Sequence, residues 1–430
     1  MKLKTEIAII GSGAGGATIA KELSKKGKKV LILERGSFTK EIGTQRAGLG
    51  FYDRCALRTS KEGTIIYRTL MVGGTTVVSC GNGIRVLESE LKGLGIDLSK
   101  EFEETEKELL IAPLPKKLIG PGSELIMNSA NRMGLEMVPM PKYINSKKCN
   151  SCGRCVLGCA RGAKWSAVNY VKEAMKHGAQ LISKVDVKQI AIHNNRAIGL
   201  VAKSPKGTVR IYADKVILAA GGIGSPAILK RSGIEEAGNK LFADLFNVTY
   251  GLLRERDINL WAEPTMAVVS TKHMKSKGFI LSPFVDVPLI LRWVMSKRRQ
   301  LQNFRYKNLL GIMVKIQDEN MGRVGADERF EKKPTSIDNE KLNEGAEISK
   351  RILIESGVKK SDVIFTKPRA AHPGGTASIG DVVNKNLETK IKNLYICDAS
   401  VLPKSPGAPP IVTIISLAKR LSNHLIESDK

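Results

Sequence analysis

At 430 residues the chain is too long for one small core, and at roughly 100–200 residues per domain it predicts two or three domains. With 42% hydrophobic and 26% charged residues it has the composition of an ordinary globular protein, and no stretch reaches the ~18–20 uninterrupted apolar residues of a spanning helix. The formal charge of +27 either attracts anionic surfaces or marks a lysine-rich solvated face. With no nucleic-acid motif and only 5% aromatics, nucleic acid is not the partner it suggests.

Thr5–Gly36 reads as β–turn–α–β, with strands at Ile7–Ile10 and Lys29–Glu34 around an amphipathic helix at Ala14–Lys26. The turn, Gly11-Ser12-Gly13-Ala14-Gly15-Gly16, fits the dinucleotide fingerprint G-x-G-x-x-G. Gly11 permits the tight turn, Gly13 lets backbone amides approach a pyrophosphate, and Gly16 lets helix and strand pack closely. The pyrophosphate then sits on the positive end of the helix. Glu34, followed by Arg35, closes the second strand where an acid accepts from a ribose diol. Further glycine segments lie far downstream, which suits one extended FAD threading a discontinuous domain better than NAD.

Beyond this unit, Leu57–Ile84 holds a second glycine-rich loop. Helices are expected at Ser99–Leu110, Gly122–Gly134 and Ser166–His177. Strand-like segments follow at Gln180–Ile192, Ala197–Val201, Val209–Ile211 and Val216–Ala220, the last running into Gly221-Gly222. Four cysteines fall within eleven residues, Cys149, Cys152, Cys155 and Cys159. Their C-x2-C-x2-C-x3-C spacing is the bacterial-ferredoxin run for a [4Fe-4S] cluster. Zinc is the less favoured occupant, because four-cysteine zinc modules separate two C-x2-C pairs by a longer loop. Free thiols are the remaining reading. The fourth ligand is Cys159 or a distant residue such as Cys55, Cys80 or Cys397, and Ala160 stands where ferredoxins often have proline. Clustered thiols suit a reducing compartment, and MKLKTEIAIIGSG runs straight into the fold without a signal-peptide pattern. The cytoplasm is therefore expected.

From about Asn239 to Phe365 the character changes, as an inserted cap or substrate domain would. Within it, Phe279–Met295 (FILSPFVDVPLILRWVM) is apolar and carries Trp293, and Lys297, Arg298 and Arg299 follow. Such a segment either lies at an anionic membrane surface, peripheral on the inner face, or is a buried cap element with a solvated basic edge.

Four segments together resemble the glucose–methanol–choline (GMC) oxidoreductases, an FAD-dependent family. They are GSGAGGATIAKEL…VLILERG, GGTTVVS at 73–79, VILAAGGIGSPAILKRSGI at 216–234, and HPGGTASIG (372–380) with LYICDASVLPKSPGAPPIVTIISLAKRL (394–421). They cover about half the chain. CGRCVLGCARGAKWSAVNYV resembles the long-chain alcohol oxidase branch, and some family members carry an iron–sulfur cluster near this position.

The resemblance implies a doubly wound, Rossmann-like α/β FAD domain split over 1–140, 166–238 and 367–430. The cysteine loop would occupy 141–165 and an inserted α+β cap 239–366. It implies that Gly11, Gly13, Gly15, Gly16, Glu34 and Arg35 hold the ADP half of FAD. Gly73, Gly74 and Thr75 would lie along the isoalloxazine and pyrophosphate, Val187 at the adenine and Asp398 beside the ribityl chain, with Gly221 and Pro409 also among the cofactor-binding residues. His372 would face flavin N5 as the base that takes a hydroxyl proton, a task suited to a group of pKa near ~6.5. The family's second polar clamp falls at Pro409, which has no side-chain donor.

The expected activity is dehydrogenation of a CH–OH group on a largely apolar or lipid-like substrate. Electrons would leave through the cluster to a one-electron carrier such as ferredoxin, or to a quinone. Two rivals remain: a ferredoxin-fed flavin reductase of an unsaturated or polyprenyl lipid, and an electron-transfer subunit of a larger complex.

Overall fold

The chain begins with β1 (Lys2–Ile10), α1 (Ala14–Lys25) and β2 (Val30–Glu34). The computed structural model describes residues 2–53, 63–255, 257–258, 260–288, 290–291 and 308–428. Cys55, Trp293, Lys297, Arg298 and Arg299 lie outside them. The N-terminal strands form as their apolar runs predict: Ile7–Ile10 and Val30–Glu34 are buried throughout, as parallel strands covered on both faces must be.

After α2 (Ser99–Leu109) and α3 (Ala167–Lys176) come β3 (Gln180–Ser183), β4 (Asp186–His193), β5 (Arg196–Ser204) and β6 (Gly207–Leu218). The sheet order is β3-β2-β1-β6-β5-β4. β6 is one strand where the sequence pattern predicts two. β1 pairs with it in parallel from Lys2↔Arg210 to Ile10↔Leu218, so Asp214 and Lys215 stay in register although they interrupt the apolar pattern. α4 (Gly221–Arg231) follows β6.

The chain then leaves this sheet to build a second one. Its strands are β7 (Leu245–Leu252), β8 (Phe279–Pro283) and β9 (Leu309–Ile316). Beyond α5 (Ser336–Glu355) come β10 (Val363–Phe365) and β11 (Arg369–Ala370). The order is β8-β9-β7-β10, with β11 also on β7, all antiparallel. α5 starts at a capping box in which Thr335 accepts from the Asp338 N–H at 3.1 Å and Asp338 accepts from the Thr335 N–H at 3.0 Å. It crosses β9 at Gly345, where a Cβ would come within 2.2 Å of the Val314 side chain.

The chain finally returns to the first sheet. β12 (Leu394–Ile396) pairs in parallel with the end of β6, and α6 (Ile411–Glu427) packs on α1 and α2. The first sheet is thus built from both ends of the chain around the excursion that forms the second.

The apolar stretch weighed as a membrane surface lies inside the protein as far as it is described. β8 is buried along its length, and Val285, Val287 and Leu291 are buried after it. Pairing to β9 takes the backbone of Phe279–Pro283 and core packing takes its side chains; the Trp293 and Lys297–Arg299 part of the stretch lies outside the described residues. Among the described residues, no helix is long and apolar enough to cross a membrane.

One buried ion pair ties this sheet together. Asp286 accepts two 2.8 Å hydrogen bonds from the Arg369 guanidinium and a third, at 2.7 Å, from the Tyr250 hydroxyl. Both charged groups are almost fully buried. Removing one partner strands the other, so Asp286→Ala is expected to cost about 3–5 kcal/mol, read as a lowered denaturant midpoint.

Candidate active site

A cavity of about 330 Å3 runs between the two sheets. Its glycine end is set by the β1–α1 turn. Gly11 adopts φ +101°, and a Cβ there would meet the Ala219 carbonyl at 2.2 Å. Gly15 and Gly16 are equally tight, with a Cβ landing 1.8 Å from the Cys397 carbonyl and 2.1 Å from the Gly11 carbonyl. Gly13 is different: a Cβ there meets nothing within 4 Å, because this residue borders the cavity. The start of α1, with its unbonded first-turn N–H groups, opens onto the same space, and no acid occupies that turn. A helix N-terminus over an open glycine floor fits the pyrophosphate of a dinucleotide.

Of the residues expected around the cofactor, Gly11, Gly13, Gly15, Glu34, Arg35, Gly74, Thr75, Val187, Gly221, Asp398 and Pro409 line this cavity, as does His372. Gly16 and Gly73 stand one layer behind. Gly73, at φ +92°, donates its N–H to Ser12 Oγ at 3.0 Å, which locks the second glycine loop onto the first.

The acids also hold the fold. Glu34 accepts from the Ser12 N–H (3.1 Å), the Ser12 hydroxyl (2.6 Å) and the Gly36 N–H (2.8 Å). Three of its four acceptor sites are thereby used, leaving one for a ligand hydroxyl. Burial pushes its pKa up, partly offset by these donors. Asp398 caps α4, accepting from the Gly221 N–H at 2.8 Å and the Ser225 hydroxyl at 2.5 Å.

Sequence reasoning did not find Glu328. Its carboxylate takes both Arg35 Nη atoms, at 2.6 and 3.1 Å, and Arg68 Nη2 at 2.6 Å. Despite opposing burial, the two guanidiniums hold its pKa down, to about 2. Arg35 is thus already paired where the cavity begins.

At the other end, His372 Nδ1 is 2.8 Å from Asp244 Oδ2. A carboxylate only accepts, so the ring proton sits on Nδ1 and Nε2 keeps the free lone pair. Asp244 is itself fixed: Oδ1 accepts from the Ser405 hydroxyl at 2.7 Å and the Gly407 N–H at 3.0 Å. Its own N–H donates to Asp318 at 2.8 Å, and Asp318 pairs with buried Lys332 at 2.6 Å. Burial lowers the His372 pKa, the nearby Lys315 lowers it further, and Asp244 opposes both. The ring is therefore neutral near pH 7, in the form that takes a proton. Asp244 had no signal in the sequence beyond being an acid in an apolar stretch.

The cysteine loop borders the same space. Val156 and Leu157, between Cys155 and Cys159, line the cavity, and so does Cys80. The loop is pinned by the Tyr52 hydroxyl on the Val156 carbonyl at 2.6 Å and the Gly43 N–H on the Leu157 carbonyl at 2.7 Å. Gly153, at φ +65°, packs against the Trp261 carbonyl, where a Cβ would lie at 1.9 Å. Cys149, Cys152, Cys155 and Cys159 form no disulfide. Burial raises the Cys149 pKa, with further contributions from Cys155, Cys152 and Cys159, so the four lie within range of one another's charge. Among the described residues, no three His, Cys, Asp or Glu side chains are gathered tightly enough to hold a metal ion. Of the distant candidates, Cys397 is buried behind Gly15, whereas Cys80 lies within range of the Cys155 charge, and burial raises its pKa to about 11.

Comparison with known proteins agrees with this architecture. Models of the GMC oxidoreductase family match residues 8–246 and 321–418. An uncharacterised protein of Methanocaldococcus jannaschii is 32% identical over 98% of this chain and 100% of its own length. A long-chain-alcohol oxidase of Arabidopsis thaliana is 23% identical over 99% of this chain and 68% of its own. Among solved structures, pyridoxine 4-oxidase from Mesorbium loti superposes with a TM-score of 0.75 at 15% identity, covering 98% of this chain and 99% of that one. A formate oxidase of Aspergillus oryzae also reaches 0.75, at 14% identity, with 99% of both chains covered. With a dinucleotide-shaped cavity, a poised histidine and family models spanning most of its length, the chain belongs to the GMC oxidoreductase family and is an FAD-dependent oxidoreductase.

Proposed function

We propose that the protein is a dehydrogenase of a CH–OH group on a largely apolar substrate, and that it passes electrons singly through a [4Fe-4S] cluster on the 149–159 loop. The observation that carries the reading is the Asp244-held His372, whose Nε2 is free in the same cavity as the glycine loop. A relay subunit needs no base, so this arrangement favours an enzyme. Apolar residues, Phe246, Phe284, Met266 and Met313 among them, line the substrate end.

On this reading Gly11, Gly13, Gly15, Gly16, Glu34 and Arg35 hold the ADP half of FAD, with Gly73, Gly74, Thr75, Val187, Gly221 and Asp398 completing the cradle. The bound flavin supplies the two-electron acceptor. His372 orients the hydroxyl and takes its proton at Nε2. Asp244 fixes the tautomer, and the surrounding apolar wall excludes water.

Two buried cations support an anionic cluster. Lys142 Nζ donates to the Cys80 carbonyl (2.9 Å), Asn82 Oδ1 (2.6 Å) and the Thr265 carbonyl (2.9 Å). Lys164 Nζ donates to the carbonyls of Val77 (2.7 Å) and Ser79 (2.6 Å). Neither meets a carboxylate among these contacts. Burial lowers both pKa values, Lys142 to about 8, while Cys155 raises both. Uncompensated buried ammoniums are costly. Thiolate-ligated iron–sulfur clusters carry net negative charge, and one here would compensate them. Thiols are the soft donors that iron–sulfur clusters take, and to hold one these four would have to converge from their present spacing. Val156 and Leu157 place the loop against the cavity, which is where a one-electron exit to a ferredoxin-like carrier or a quinone belongs.

An anaerobic absorption spectrum with iron and zinc analysis tests the cluster. Flavin bands over a broad background bleached by dithionite, with about four irons per chain, are expected. Flavin bands with zinc or no metal would overturn the relay, and so would stoichiometric peroxide production by cluster-loaded protein. Medium- and long-chain primary alcohols with a one-electron dye test the substrate class.

A further inference from the structure

Lys315 sits near the middle of the second sheet, on β9, paired in register with Phe246 on β7 and Ile280 on β8. The residue is 2% exposed and lines the substrate end of the cavity together with His372. A lysine buried in a central strand normally answers a carboxylate. Among the described residues this one has no carboxylate at ion-pair distance: its Nζ reaches the Asp244 carbonyl oxygen, at 3.5 Å, and stands 5.1 Å from the Phe246 ring centroid.

The nearby acids are already engaged. Asp244 is held by His372, Ser405 and Gly407. Asp318 is held by Lys332, Ser405 and the N–H groups of Ala243 and Asp244. Pro409, on the same cavity wall, has no side chain that donates. Asp244 and Asp318 balance the Lys315 charge from a distance and oppose the effect of burial on its pKa. Among the described residues, though, its three N–H donors share one long hydrogen bond. Buried donors left unmade are costly, and a ligand oxygen beside His372 would satisfy them.

We infer that Lys315 is a second catalytic residue, holding the substrate oxygen beside His372 and meeting the negative charge that develops on it. The hydroxyl proton goes to His372 Nε2. The oxygen would be held by the Lys315 ammonium, which neither gains nor loses a proton; its electrons would close the C=O bond, and the flavin, when bound, would supply the acceptor for the carbinol hydride. A preorganised cation in a dry site is the arrangement that stabilises such charge most. The site therefore selects substrates that place an oxyanion there, and a small carboxylate is a stable mimic of one.

The inference rests on the FAD-dependent reading but on neither the cluster nor the identity of the alcohol. The test is a titration of FAD-loaded protein with acetate, followed by the flavin difference spectrum, in wild type, Lys315→Met and Lys315→Arg. Saturable perturbation in wild type, at least tenfold weaker binding in Lys315→Met and recovery in Lys315→Arg are expected. Methionine keeps the packing, and Asp244 stays held by His372 and Gly407, so Lys315→Met is expected to remain folded and to bind FAD. Equal acetate affinity in wild type and Lys315→Met, or no perturbation in wild type, would overturn the inference. So would a large fall in the Lys315→Met melting temperature, which would assign Lys315 to the fold.

Discussion

Replacing His372 with Ala is expected to lower kcat by about a hundred- to ten-thousand-fold, the range over which a positioned general base contributes. FAD content and melting temperature should stay close to wild type. The ring makes one side-chain hydrogen bond, to Asp244, and it borders a cavity, so its loss leaves neither a buried void nor a broken ladder. The sign of the pH dependence follows from the same geometry. Burial and Lys315 lower the His372 pKa, so the wild-type kcat/KM should be flat near neutrality and fall only below the ordinary value of ~6.5, as the ring gains a proton and can no longer take one. His372→Ala should lack that acid limb. A variant with undiminished turnover, or one whose acid limb persists, would remove His372 from the proton transfer.

The second large effect separates folding from binding within one turn. In Gly15→Ala the new methyl meets the Cys397 carbonyl at 1.8 Å. That carbonyl cannot retreat, because Cys397 donates its N–H to the Leu218 carbonyl at 2.9 Å and continues β12 along β6. The clash is backbone against backbone at the centre of the first sheet, so a loss of more than about 3 kcal/mol is expected. In Gly13→Ala the methyl enters open space, and φ of −73° suits any L-residue. The apoprotein should melt as wild type does, while the methyl occupies the floor over which a pyrophosphate must pass. Flavin content should fall by about tenfold or more on a one-methyl intrusion into that close approach. Equal flavin retention in Gly13→Ala would move the cofactor away from this turn.

The β1–α1–β2 unit and its glycines were legible because each signal is local: an apolar run, a turn that needs φ > 0, an amphipathic period. His372 was legible only through its motif. Asp244, Glu328 and Lys315 were not. Their significance comes from partners that stand 128, 293 and 69 residues away in the chain, His372, Arg35 and Phe246 respectively. Lys315 did leave a trace, as the one charge in the apolar run LLGIMVKI, and a lone lysine in a buried-strand pattern is a signal to pursue. No helix is read from the sequence at α5, which lies in the stretch without a recognised motif, or at α6, which lies within the C-terminal family segment. The apolar segment at 279–295 reads from sequence as a membrane face or as a buried element of the cap, and its pairing with β9 makes 279–283 a core strand.

The return of the chain to the first sheet also bears on biosynthesis. β12 can join β6 only after the whole excursion through the second sheet has been made, and α6 closes over α1 later still. Contacts of such long sequence separation form slowly, and a ribosome adds residues from the N-terminus. The glycine turn can therefore form early, yet it remains without Cys397 and Asp398 behind it until the chain has returned from the second sheet. The floor of the cofactor site is completed by a late-joining strand, so the order of folding places cofactor binding after the second sheet is built.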